Sequence, residues 1–88
     1  MASYKILFTR SAEKELRKIP SPHLARIVNK INALSHEPRP LGAQMLKGEE
    51  RYFRLRQGDY RIIYDVSDLE QRIIIIKVGH RREVYESS

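Results

Sequence analysis

No cysteine occurs among the 88 residues, so neither a disulfide framework nor a thiolate metal site is available. The three histidines, His23, His36 and His80, are scattered and match no zinc-type spacing, so neither metal nor cofactor is expected. Long apolar runs are also missing. The opening MASYKILF has no apolar segment after a basic start, and no later stretch approaches membrane-spanning length. A cytoplasmic protein without a membrane partner is expected. Acidic residues are in deficit, 11 against 17 Lys and Arg, for a net charge of +6 and a pI near 9.9. That imbalance favours a polyanionic partner, whether nucleic acid or an acidic protein. The bland alternative is a basic surface kept for solubility. What remains, 41% hydrophobic and 32% charged, is the composition of an ordered globular chain, read as one domain over 1–88.

The most patterned stretch is Tyr52 to Val66, YFRLRQGDYRIIYDV, where two alternating runs are separated by Gln57 and Gly58. Alternation sends neighbouring side chains to opposite faces, so the stretch predicts a β-hairpin. Phe53 and Leu55 share one face, and Tyr52, Arg54 and Arg56 the other. On the return run Tyr60, Ile62, Tyr64 and Val66 form an apolar row, opposite Arg61, Ile63 and Asp65. Burying the apolar rows therefore gathers Arg54, Arg56 and Arg61 on one open surface.

Around this hairpin the remaining elements follow in order. Tyr4 to Thr9 has strand composition, with Tyr4, Ile6 and Phe8 on one face. A helix follows, with Ser11 as N-cap, Glu13 and Glu15 at the positive end of its dipole, and Ala12, Leu16 and Ile19 as its buried stripe. Pro20 stops it. Ser21 and Pro22 start a second helix, where Leu24, Ile27, Val28, Ile31 and Leu34 repeat at amphipathic spacing and Lys30 points outward. His36 to Ala43, with Pro38, Pro40 and Gly42, reads as a loop, and Gln44 to Gly48 as a lead-in to the hairpin. After a turn at Ser67 to Gln71, Arg72 to Val78 carries four consecutive isoleucines, the pattern of a central strand covered on both faces. The expected fold is α+β: two N-terminal helices on a mainly antiparallel four-stranded sheet, in the order β-α-α-β-β-β. The placement of the first strand is left open.

Polar chemistry concentrates after the last strand, in Gly79-His80-Arg81-Arg82-Glu83-Val84-Tyr85, with Gly79 read as a sharp turn. Several guanidinium forks beside a histidine and a tyrosine suit RNA cleavage by its own 2′-hydroxyl. That reaction needs the 2′-OH deprotonated, charge on the phosphorane neutralised and the 5′-oxygen stabilised as it leaves. Arginine supplies the charge but is a poor proton carrier. Proton transfer is left to His80, of a residue type that ordinarily titrates near 6.5, or to Tyr85, of one that ordinarily titrates near 10. Residue chemistry leaves both open.

Leu46-Lys47-Gly48, the run from Tyr52 through Arg54, Leu55, Arg56, Gly58, Asp59, Tyr60 and Arg61 to Tyr64, and Val78-Gly79-His80-Arg81-Arg82-Glu83-Val84-Tyr85 together resemble the RelE branch of the RelE/ParE toxin superfamily. The resemblance covers nearly the whole chain. It implies a toxin of a toxin-antitoxin pair that enters the ribosomal A site and cuts mRNA there as an endoribonuclease (mRNA interferase). It also implies a cognate antitoxin, a toxin-antitoxin hetero-oligomer and no cofactor. By position, Arg61 would stabilise the scissile phosphate, Arg81 would help the leaving group and Tyr85 would activate the 2′-OH. Lys47, Arg54, Arg56 and Arg82 would contact RNA. The chain departs from the best-studied branch at Tyr52 and Arg54, where that branch carries lysines, and His80 replaces a lysine beside the key arginine. Two alternatives share the fold: a ParE-like inhibitor of DNA gyrase, and an RNA-binding module that has lost activity.

Overall fold

The computed structural model describes residues 3–46 and 48–80. Five strands and two helices run in the order β1 (Lys5–Phe8), α1 (Arg10–Arg17), α2 (Ser21–Ala33), β2 (Gln44–Leu46), β3 (Glu49–Gln57), β4 (Tyr60–Ser67) and β5 (Arg72–His80). The strands form one sheet, ordered β1-β5-β4-β3-β2. The α+β architecture is as expected, with five strands in place of four. The additional strand is the lead-in segment, which pairs antiparallel through Gln44 with Arg54 and Met45 with Phe53. Three residues are too few for alternation to reveal it. The first strand lies at an edge and runs parallel to β5, from Lys5 opposite Arg72 to Phe8 opposite Ile75.

This topology puts β5 between β1 and β4, which accounts for its isoleucine run. Ile73 and Ile75 are fully buried toward the helices, and Ile74 and Ile76 are partly covered. A bulge then breaks the register, because Ile63 pairs with Lys77 whereas Tyr64 pairs with Ile75. The skipped residue, Ile76, brings Val78 back to the helix side, where it is fully buried. Ile27, Ile31 and Leu34 of α2 pack there in one core with Phe53, Leu55, Ile62, Tyr64 and Val66. Val28, at the margin of the predicted stripe, is exposed.

Both helix starts differ from the local reading. Thr9, not Ser11, caps α1: its Oγ1 accepts the Ala12 N–H at 3.1 Å. The choice follows from the sheet, because Thr9 also donates its backbone N–H to the Ile75 carbonyl at 3.0 Å and its hydroxyl to the Ile76 carbonyl at 2.8 Å. Pro20 is the N-cap of α2, which begins at Ser21 and carries Pro22 in its first turn. The hairpin turn is also one residue later than predicted. Gln57 pairs with Tyr60, leaving Gly58 and Asp59 as a two-residue turn with Gly58 at φ +60°.

The loop between α2 and β2 is tied down at the far pole. Tyr64 donates its hydroxyl to the Pro38 carbonyl at 2.8 Å, and burial pushes that phenol up to about 12. Asp68 accepts both arms of Arg39, at 3.1 and 2.9 Å, and the Tyr4 hydroxyl at 2.6 Å. The hydrogen bond from Arg39 is the main reason the Asp68 carboxyl is held below its ordinary value. The same guanidinium lies over the Phe53 ring, 5.3 Å from its centroid.

Candidate nucleic-acid interface

The register of β3 against β4 builds the site. Phe53 faces Tyr64 and Leu55 faces Ile62 on the helix side. On the other side Arg56 faces Arg61, Arg54 faces Ile63 and Tyr52 faces Asp65. The predicted gathering of Arg54, Arg56 and Arg61 is therefore realised through direct cross-strand pairing. Like charges directly opposite one another repel, a cost that a bound anion relieves.

The three arginines line an open cavity of about 600 Å³ at the edge of β3, where β2 has ended. Arg56 is exposed, Arg54 is partly covered, and Arg61 is only 5% exposed. Arg54 donates through Nη2 to Gln44 Oε1 at 2.8 Å, which orients its fork. Lys30 of α2 lines the same cavity from the helix layer. Neither Gln44 nor Lys30 was singled out from the sequence. Gln44 joins because β2 exists, and Lys30 because the outward face of α2 borders the sheet's edge. No local pattern signals either.

Asp65 was expected on the open surface, yet it is 5% exposed. Arg51 covers it in a bidentate pair, Nε to Oδ1 at 3.0 Å and Nη2 to Oδ2 at 2.6 Å. The pair bolts β3 to β4 at the end of the hairpin away from its turn.

At the end of β5 the structure separates residues that the sequence suggested together. Gly79 lies within the strand, opposite Arg61, and is not among the glycines with positive φ. It does not make the sharp turn expected of it. His80 pairs with Tyr60, which belongs to the helix-side row of Ile62 and Tyr64. The imidazole meets the Tyr60 ring edge-on at 5.7 Å, and His23 lies 5.6 Å from that ring on its own contact. His80 lines a second cavity of about 360 Å³ with Glu15, Lys18, Tyr60 and Lys77. The structure thus joins Arg54, Arg56 and Arg61 and places His80 on the opposite face. Lys47, Arg81, Arg82 and Tyr85 lie outside the described residues. Among the described residues no cluster of three metal-ligating side chains occurs, and no helix is long and apolar enough to cross a membrane.

Comparison with known proteins gives the chain its family. Residues 6–85 match the family described as ParE toxin of type II toxin-antitoxin system, parDE. Toxin RelG of Mycobacterium tuberculosis is 32% identical over 83 residues, covering 93% of this chain and 95% of that protein. The mRNA interferase toxin RelE of Escherichia coli is 31% identical over 90 residues, covering 98% and 94%. The chain belongs to the RelE branch of the RelE/ParE toxin superfamily. In structure, this RelE-branch toxin is similar to the toxin-containing crystal structure of an archaeal RelE-RelB complex from Pyrococcus horikoshii. That likeness has a TM-score of 0.81 at 30% identity over 90% of this chain and 96% of that one. In this RelE-like fold Arg54, Arg56 and Arg61 alternate with the helix-side residues Phe53, Leu55, Ile62 and Tyr64.

Proposed function

We propose that this toxin is an endoribonuclease that cuts mRNA in the ribosomal A site, and that an antitoxin covering the arginine face holds it inactive. The observation that carries the reading is the facing pair Arg56 and Arg61, with Arg54 beside them, in one open polar cavity. Two guanidiniums converging from neighbouring strands match the spread charge of a phosphorane. In the reaction the 2′-OH loses its proton and attacks phosphorus, the bond to the 5′-oxygen breaks, and a 2′,3′-cyclic phosphate and a 5′-hydroxyl result. Arg61, buried and fixed, stabilises the charge developing on the phosphoryl oxygens. Arg54 and Arg56 seat the flanking phosphates, with Lys47 and Arg82 as further contacts. Arg81 supports the leaving oxygen, which takes a proton from water, and Tyr85 in its phenolate form takes the 2′-OH proton. Because His80 faces away from the arginines, its part is support of the strand end through Tyr60.

The antitoxin follows from the relatives, several of which are solved as RelE-RelB complexes. A net charge of +6 and the cavity lined by Arg54, Arg56 and Arg61 suit an acidic or amphipathic segment of such a partner. Dependence on the ribosome is supported by the scarcity of proton carriers among the described residues of this face, because a weak acid-base set relies on external orientation of the RNA.

The test is primer extension on an mRNA in a reconstituted translation system, with and without ribosomes. The expected result is cutting within A-site codons only when ribosomes are present, lost in Arg61→Ala and Arg81→Ala and sharply reduced in Tyr85→Phe. Folded wild-type chain that cuts nothing and leaves translation unaffected overturns the reading, and inhibition of gyrase supercoiling by the same chain would put the ParE-like activity in its place.

A further inference from the structure

Where β1 ends, the ladder along that edge of β5 does not. Thr9 leaves the sheet as the N-cap of α1, yet its backbone N–H and hydroxyl still bond the carbonyls of Ile75 and Ile76. Six residues further, Glu15 reaches down from α1 and its Oε1 accepts the Val78 N–H at 3.0 Å. Its Oε2 lies 3.3 Å from Lys77 Nζ. Helix chemistry does not account for an acid here. Glu15 was assigned to the positive end of the dipole, but it is the sixth residue of an eight-residue helix, past the first turn where a carboxylate is favoured. Its bonds lie instead with the strand.

We infer that Glu15 is a positioning residue for the cleavage reaction: it stands in for a missing strand, fixing the end of β5 where Gly79 stands opposite Arg61. The inference rests on the function proposed above. Val78 is fully buried, so its amide has no access to water and needs a protein acceptor. It also lies two residues past the bulge at Ile76, where the ladder to β4 slips by one residue. A strand that has just slipped register on one edge and lost its neighbour on the other is poorly determined. Glu15 supplies a fixed acceptor at that point, and the Lys77 ammonium holds the carboxylate to it. The next residue after Val78 is Gly79, paired with Arg61. A shift of the strand end displaces Gly79 and with it its partner Arg61, and small displacements from productive geometry are costly in rate.

The experiment compares wild type, Glu15→Gln and Glu15→Ala by primer extension on ribosomes, with kcat and KM for programmed ribosomes measured separately and amide exchange followed residue by residue. Gln keeps the acceptor and loses the ion pair; Ala loses both. The expected result is a tenfold or greater fall in kcat for E15A with KM within about twofold, and at least half of wild-type kcat in E15Q. Exchange at Val78 should rise in E15A but not E15Q, while Ile73 and Ile75, held by β1, exchange as before and report an intact fold. Wild-type cutting matched by E15A overturns the inference alone. Equal loss in E15A and E15Q also overturns it, since the acceptor would not be the operative feature. A wild-type chain that cuts no mRNA overturns the functional reading and this inference with it.

Discussion

Replacing Arg51 with methionine tests whether the hairpin that carries the arginine face depends on a covered carboxylate. Methionine keeps most of the aliphatic stem but leaves Asp65, 5% exposed, without the two charged hydrogen bonds at 3.0 and 2.6 Å. Breaking a fully buried pair from one side costs about 3–5 kcal/mol. Arg51 is itself half-exposed, so solvent already screens its share and the figure must be reduced. Its guanidinium also lies 5.6 Å from the Tyr52 ring centroid, a contact worth about 0.5–1 kcal/mol at an exposed site. The sum is a loss of about 2–3 kcal/mol, roughly 10–20 °C in Tm for a domain of this size. Asp65→Asn removes the charge that needs covering and should cost only about 1 kcal/mol. In the double variant the unpaired carboxylate is gone, so R51M/D65N should be more stable than R51M alone. Urea unfolding of all four proteins gives the cycle. A loss below about 0.5 kcal/mol in R51M, or strict additivity in the double variant, would refute the argument that a buried charge is being covered.

Arg61→Lys keeps the charge but not the fork, and should lower cleavage about 10²-fold in the primer-extension assay while unfolding in urea at the wild-type midpoint. His80→Ala should cut within about tenfold of wild type, because its ring lies against Tyr60 on the helix side; a loss as deep as that of R61K would return His80 to the chemistry. Tyr64→Phe removes the hydrogen bond to the Pro38 carbonyl and should cost about 1 kcal/mol at pH 7. Because the folded phenol is pushed up to about 12, above the unfolded value near 10, the unfolded chain loses this proton first. Wild-type stability should therefore fall from about pH 10 toward pH 12 relative to Y64F, narrowing the gap between them, and a gap that stays constant across that range in denaturant titrations would contradict the burial of the neutral phenol.

How much was legible in the sequence depends on how local each cause is. The hairpin was readable because a period of two is written into adjacent residues, and Phe53, Leu55, Ile62 and Tyr64 are buried as that period demands. The helices were readable for the same reason, and their caps were missed by one or two residues because Thr9 answers to β5 as well as to α1. Family motifs carried the toxin assignment, since the arginine spacing along one strand is a linear feature. Chain order alone could not place β1 beside β5 in parallel, nor make a strand of Gln44 to Leu46, because each depends on an edge built by residues far along the chain.

What this sequence determined by itself is which side chains share a face within each strand and helix: backbone geometry sets that. Tertiary structure decided which faces meet. It set Arg56 against Arg61, covered Asp65 with Arg51, turned His80 toward Tyr60, and gave Glu15 an amide of β5 to hold. Each of these follows from register between strands or from a helix crossing a strand end. Register is fixed by the packing of the whole core, so no window of neighbouring residues contains it.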